Sequence, residues 1–412
     1  MEYRALRIVR SLDKVYKAPK GRRKVQLQPL AEEDVIQLAL LQARWRQLVN
    51  DVVARCRNGD AVDARCVRER LKNIEEKPYV NFAKELALLG WVPKKLTKRW
   101  KTPIYLGADI GRNKYEVYID LDGRRVAIRI PTLPYTYIVQ LGEKEAEWIR
   151  RRFKEDAEFA HIALIWIDPR RYTLNIVLPF RREPPKLQPR RFLVVDVNAV
   201  YNGVAYAVVE EERVLERSVL RPPLSALGRV NAEARRLQRI CSKEGRLCER
   251  HRATKSKFYR ILREFEKNAV TKLIRLALQY KAAIVVDSPK WDSLKKLKEE
   301  GNLGVRKQFL NVGRLPKRLR RLAAWYGVPY AEERLYSSYC PKCNTKLNEL
   351  NGRKMRCPQC GFEEERDRVP IYWAQKRYRE VMAKVSAQAT AIASSQKPPS
   401  FSPVLAVAAS VS

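Results

Sequence analysis

The chain has 412 residues, with 84 Lys and Arg against 46 Asp and Glu, a formal charge of +38. So large an excess excludes most small-molecule enzymes, whose surfaces mix both signs, and calls for a polyanionic partner. Hydrophobic residues at 45% exclude a disordered basic tail and allow two or three structural units. Only two histidines occur, His161 and His251, so any catalysis is expected to rest on carboxylates and metal. There is no apolar run long enough to span a bilayer, and Met1–Lys20 carries neither a signal h-region nor a cleavage site. A cytoplasmic protein with no membrane partner is expected.

Residues 1–28 mix short apolar and basic stretches and read as one or two strands. From Ala31 the pattern turns helical: Val35, Leu38, Leu41, Trp45, Leu48 and Val52 recur at three- and four-residue steps behind Glu32, Glu33 and Asp34. Further helical stretches read over Val62–Glu75 and Asn81–Leu89. Between Pro103 and Phe180 the signal is mostly β, at Tyr115–Ile119, Arg125–Ile130, Tyr135–Gln140, Ile162–Ile167 and Tyr172–Leu178, with one helix near Glu143–Asp156. This region predicts a small antiparallel barrel. The Pro-rich basic stretch Arg181–Arg191 (RREPPKLQPRR) marks a domain boundary.

Beyond it lies a buried strand, Phe192–Val197, with Asp196 in its apolar run. Strands follow at Gly203–Val209 and Arg213–Leu220, then a long basic helical region from Arg229 to Tyr280. The apolar strand Ala282–Val286 ends on Asp287. A helix over Pro316–Tyr326, with proline in its first turn, leads to a strand at Pro329–Glu332. A cysteine cluster and a last helix over Pro370–Val385 complete the ordered chain. The Ala-, Ser- and Pro-rich tail, 386–412, is expected to be disordered.

Cys340-Pro-Lys-Cys343 and Cys357-Pro-Gln-Cys360 form two CxxC knuckles separated by thirteen residues. Two such pairs supply four soft thiolates for a tetrahedral ion at about 2.3 Å, which suits structural zinc with no ligand position left open. Cys56, Cys66, Cys241 and Cys248 read as buried free thiols, with disulfides as the alternative in a thermophilic host. The scarcity of His and Met fits a thermophilic archaeon.

Asp196 on the first strand, Asp287 at the end of the fourth and Asp367 before the last helix can converge on one site. Three clustered carboxylates repel one another unless divalent cations bind between them. Two Mg²⁺ or Mn²⁺ ions about 3.5–4 Å apart can then activate water and stabilise the leaving oxygen in phosphodiester cleavage.

The segment from Asp196 to Glu380 resembles the RuvC-like nuclease domain of the TnpB (OrfB) family of transposon-encoded proteins, relatives of compact type V CRISPR effectors. The resemblance is carried by VVDVNAVYNGVAYAVV with its Asp196-x-Asn198 start, by the basic helices before KAAIVVDSPK, by YSSYCPKC…CPQCG with Ser337 leading into Cys340, and by GFEEERDRV with Asp367. It implies an α+β multidomain chain with an RNase H-like (RuvC) α/β nuclease domain over 187–336 and 363–385, interrupted by a zinc ribbon over 337–362. It further implies a β-barrel wedge domain in two parts, 1–28 and 101–186, split by a helical recognition lobe over 29–100. The implied activity is that of an RNA-guided, Mg²⁺-dependent DNA endonuclease of a mobile element, with guide RNA and double-stranded target DNA as partners. Monomer and homodimer stay open. The chain departs from the family at Asp287, where Glu is usual, at Val369 and Trp373, where Asn residues are usual, and at Asn344, where Gly is usual. The first departure shortens a carboxylate arm by about 1.5 Å and leaves a cleavage-deficient, RNA-guided DNA-binding regulator as the alternative.

From Arg229 to Arg275 fifteen Lys or Arg stand against five Glu, a local excess of +10. Arg235, Arg239, Arg246, Arg250, Lys257 and Arg260 recur near helical spacing, as a basic stripe along a phosphate backbone would require. Lys317, Arg318 and Arg321, with Arg314 and Arg320, form a second patch beside Trp325 and Tyr326. The better role for Trp325 is core packing.

Overall fold

In the computed structural model the described residues are 2–20, 27–58, 61–63, 65–66, 69–70, 104–112, 114–130, 133–185, 187–198, 202–211, 213–243, 248–287, 314–351 and 353–384. The expected helix Asn81–Leu89, most of Val62–Glu75, Arg246 and the tail 386–412 lie outside them. The chain divides into two compact units, Met1–Glu183 and Pro184–Ser412, so the break falls in the Pro-rich stretch.

The first unit is built on a ten-stranded sheet. In chain order its elements are β1 (Glu2–Ser11), β2 (Val15–Pro19), β3 (Gln28–Pro29), α1 (Glu32–Arg55), the small pair β4 (Arg57–Asn58) and β5 (Ala61–Val62), β6 (Ile104–Ile110), β7 (Val117–Asp120), β8 (Arg125–Arg129), β9 (Tyr135–Gln140), α2 (Glu143–Lys154), β10 (Glu158–Phe159), β11 (Ile162–Asp168) and β12 (Thr173–Arg182). The strand order is β1-β12-β11-β6-β7-β8-β9-β2-β3, with β10 on β12. Residues 2–29 therefore supply both ends of a sheet whose middle comes from 104–182. The expected all-antiparallel pattern is broken once, because β6 and β7 pair in parallel. Asp34 starts α1 by accepting the Ala31 amide at 2.8 Å and the Lys17 ammonium at 2.5 Å. Buried Gln42 then fixes the helix to the sheet, donating to the Ile167 carbonyl at 3.2 Å and accepting the Ile167 amide at 2.8 Å. Both of its amide atoms are thereby satisfied away from water. Cys56 and Cys66 form a disulfide at the end of α1, correcting the free-thiol reading.

The second unit contains β13 (Arg191–Val197), β14 (Val204–Glu210), β15 (Arg213–Leu220), α3 (Leu224–Lys243), α4 (Glu249–Gln279), β16 (Ala282–Asp287), α5 (Arg314–Tyr326), β17 (Tyr330–Glu333), β18 (Asn348–Glu349), β19 (Lys354–Arg356), β20 (Glu363–Glu365) and α6 (Val369–Lys376). Five strands form a sheet in the order β15-β14-β13-β16-β17. The β13–β14 and β14–β15 pairs are antiparallel, while β13–β16 and β16–β17 are parallel. The central strands β13 and β16 are apolar apart from Arg191, Asp196 and Asp287, because both of their faces are covered. Leu193, Val195 and Ile284 pack against Leu273 and Ile274 of α4 and Leu319 of α5. Phe192, Val194 and Val285 pack on the other face against Met355, Cys357 and Ile371.

The long basic region is two helices, with Cys241 and Cys248 joined by a disulfide between them, so these two are not free thiols either. Trp325 is fully buried, as its core role requires.

Candidate active site and metal centre

Asp196 is the one carboxylate in the apolar run of β13 and is 7% exposed. Residues of its parity, Phe192 and Val194, face the layer that holds α6 and the cysteine hairpin. The parallel register that pairs Val195 with Val286 sets Asp287 beside Asp196 at the same level and on the same face. Asp367 lies just before α6, on that face. The fold therefore brings the three acids to the C-terminal ends of two neighbouring strands. The turn after β13 needs Gly203, at φ 82°, since a Cβ there would lie 2.1 Å from the Leu220 carbonyl oxygen. The Asn198 side chain donates its amide N–H to Asp196 at 2.8 Å.

Burial, together with the charge of Asp287 and to a lesser degree Asp367, pushes the Asp196 carboxyl up to about 8, against the pull of Asn198 and Arg353. Burial pushes Asp287 up to about 6, opposed by the Leu335 amide, which donates to it at 2.8 Å, and by Arg334. A multivalent cation between Asp196 and Asp287 would relieve this cost, although among the described residues only the four cysteines already converge as ligands for one ion, and both Asp367 oxygens are held by Arg353.

Sequence reading missed Arg353. Its guanidinium forks onto Asp367, with Nε 3.1 Å from one oxygen and a terminal nitrogen on the other, and reaches Asn198 Oδ1 at 3.4 Å. The run Arg353-Lys354-Met355-Arg356 offers three cations, and their count does not distinguish them. The phase of the hairpin does, because Arg353 shares strand parity with buried Met355 and Cys357, whereas Lys354 and Arg356 point outward. A cleft of about 650 Å³ opens at Asp367, lined by Arg221, Arg353, Lys354 and Arg368 and by the acids Glu363, Glu364 and Glu365, while Asp196 and Asp287 are not in its lining.

The sulfur atoms of Cys340, Cys343, Cys357 and Cys360 all lie within 4.8 Å of one another, and none is in a disulfide. The two knuckles repeat one geometry. Asn344 N–H donates to the Cys340 carbonyl at 2.9 Å and Gly361 N–H to that of Cys357 at 3.1 Å, with φ of 63° and 71°. Asn344 thus takes the left-handed turn that glycine takes in the second knuckle. The Thr345 hydroxyl and backbone hold the Cys343 thiol down at about 6. The other thiols of the cluster push Cys360 the opposite way, up to about 12, so it is the convergence of four sulfur atoms that fits a zinc ion.

Arg235 and Arg239 on α3, Arg250, Lys257 and Arg260 on α4, and Lys317, Arg318 and Arg321 on α5 are all exposed. Arg314 and Arg320 of the second patch are instead ion-paired, to Glu266 at 2.7 Å and Glu332 at 2.6 Å. No helix among the described residues is long and apolar enough to cross a membrane.

A family model described as "Cas12f1-like, TNB domain" matches residues 313–370, the stretch from α5 through the ribbon to the third acid. A sequence search of curated proteins gives no match. Among solved structures the chain resembles a Cas12f1–sgRNA–target DNA complex at 12% identity and a TM-score of 0.54, over 84% of this chain and 83% of that one. It also aligns with a CRISPR-Cas12f ternary complex at 13% identity and a TM-score of 0.33, over 82% and 80%. A third alignment, with CasPhi-2 (Cas12j) bound to crRNA, has 12% identity and a TM-score of 0.36, over 74% and 70%. The first of these establishes a common fold.

Proposed function

We propose that this chain is a compact RNA-guided DNA endonuclease whose second unit is an RNase H-like (RuvC) nuclease domain with an inserted zinc ribbon, of the TnpB type. The observation that carries this reading is Asp196, buried on a central strand with Asp287 on the adjacent strand and Asp367 across from it. A purely structural role leaves no reason for three acids on one apolar face. Asp196, Asp287 and Asp367 would hold two Mg²⁺ or Mn²⁺ ions, which supply an activated water and neutralise the leaving oxygen of a phosphodiester. Asn198 orients the Asp196 carboxylate, and the Leu335 amide does the same for Asp287. Arg353 presents a fixed positive charge beside Asp367, where it can meet the developing charge on phosphate. The likeness of fold to the Cas12f1 complex and the excess of basic residues support a guide RNA and a DNA target as partners.

The regulator reading is favoured by one feature, Asp287 in place of the family's glutamate. RNA co-purifying with the protein is sequenced and a duplex matching it is offered in Mg²⁺. Binding followed by cutting that is lost in Asp196→Ala supports the nuclease. Binding without cutting, with cutting gained in Asp287→Glu, establishes the regulator.

A further inference from the structure

Arg221, exposed in the turn between β15 and α3, lines the cleft at Asp367 and also lines a second cavity of about 660 Å³. The floor of that cavity is apolar, made by Leu220 of β15 and by Ile261, Phe265 and Ala269, one row of α4 at four-residue spacing. Leu220 and Phe265 are only partly buried, so the strip is open rather than closed core. Beside it runs a second row of α4, Glu264, Asn268 and Lys272, which offers an acceptor, an amide and a donor along one rim. Glu264 also reaches Lys267 at 3.3 Å, and Lys272 lies 5.7 Å from the Tyr206 ring.

An apolar bed with an aromatic ring and a mixed hydrogen-bonding edge suits a flat heterocycle. Glu264 and Lys272 give the rim both signs of charge, while Arg221, shared by the two cavities, offers a phosphate contact where they meet. Continuity with the acid cleft through Arg221 argues for a polynucleotide over a free small molecule. We propose that this cavity binds an unpaired nucleobase of the DNA strand whose backbone runs through the cleft at Asp367, with Arg221 on the phosphate between them. The inference rests on the nuclease reading for the identity of the strand.

The test uses the full chain with the RNA it carries, in Ca²⁺, and single-stranded oligonucleotides carrying 5-iododeoxyuridine at successive positions. Irradiation is expected to cross-link one or two positions to the α4 segment around Phe265. Asn268→Ala with Lys272→Ala, both exposed, should weaken single-strand binding about tenfold, and Phe265→Ala should do so by a similar factor, while Phe265→Trp retains affinity. Absence of α4 cross-links together with unchanged affinity of the exposed double variant overturns the proposal, even if the chain cuts DNA. Cross-linking at Phe265 by a chain that cuts no target upholds the base site and removes the nuclease reading instead.

Discussion

At the scale of single residues, the proposed site is three carboxylates with Arg353 on Asp367 and Arg334 near Asp287. Arg353 gives Asp367 two hydrogen bonds, and bonds to charged groups contribute about 1.5–3 kcal/mol each when buried. Its side chain is 41% exposed, which reduces the total to about 1 kcal/mol. Arg353→Ala should therefore unfold only slightly earlier in denaturant yet lose most cleavage, whereas a purely structural arginine would leave the rate per folded molecule unchanged. Asp196 gives a pH signature. Its folded-state pKa of about 8 lies far above that of an unfolded aspartate, so the folded chain keeps a proton that the unfolded chain has lost. Without added divalent cation, stability should fall as pH rises from about 4 through 8. Thermal unfolding across that range should show the slope, and Asp196→Asn should remove its upper part while Asp287, raised to about 6 by burial, keeps the part between about 4 and 6. Asp196 stands out in the sequence because a carboxylate inside an apolar strand is conspicuous, whereas Asp287 and Asp367 gain meaning only from the order of elements around them. Arg353 was not legible there, since its meaning depends on hairpin phase and on Asn198, 155 residues away.

At the scale of elements, the cysteine hairpin carries Arg353 between its knuckles, so ribbon integrity and site electrostatics are linked. The account expects one zinc per chain by elemental analysis. Cys357→Ser should lower that content and also reduce cleavage, although Cys357 touches no carboxylate. The paired CxxC spacing made the four-cysteine cluster plain in advance, because local backbone geometry alone builds each knuckle. The break between α3 and α4 was not plain, since helical periodicity runs up to both sides of it and a tertiary link, Cys241–Cys248, joins the two. On these helices Arg235→Ala, Arg239→Ala and Lys257→Ala together should flatten the slope of log K against log salt by roughly 2–3. An unchanged slope would take this face out of the nucleic-acid path.

At the scale of the molecule, the division at Glu183 was readable from proline content, and the order of strands and helices in the second unit from apolar runs. The first unit was less transparent. Its sheet joins residues 2–29 to 104–182 through long-range pairing, and the parallel β6–β7 contact leaves no trace in local alternation. The charge of +38 calls for a polyanionic partner, and under the proposed function that partner is RNA together with DNA. The central claim is that the acids cut what the guide selects. The most direct measurement is single-turnover cleavage of a guide-matched DNA duplex by the purified protein–RNA complex with Mg²⁺. The account predicts cleavage that requires the match and the metal and disappears in Asp196→Ala. Cleavage that persists in Asp196→Ala, or a matched duplex that the native complex binds and leaves intact, would contradict it.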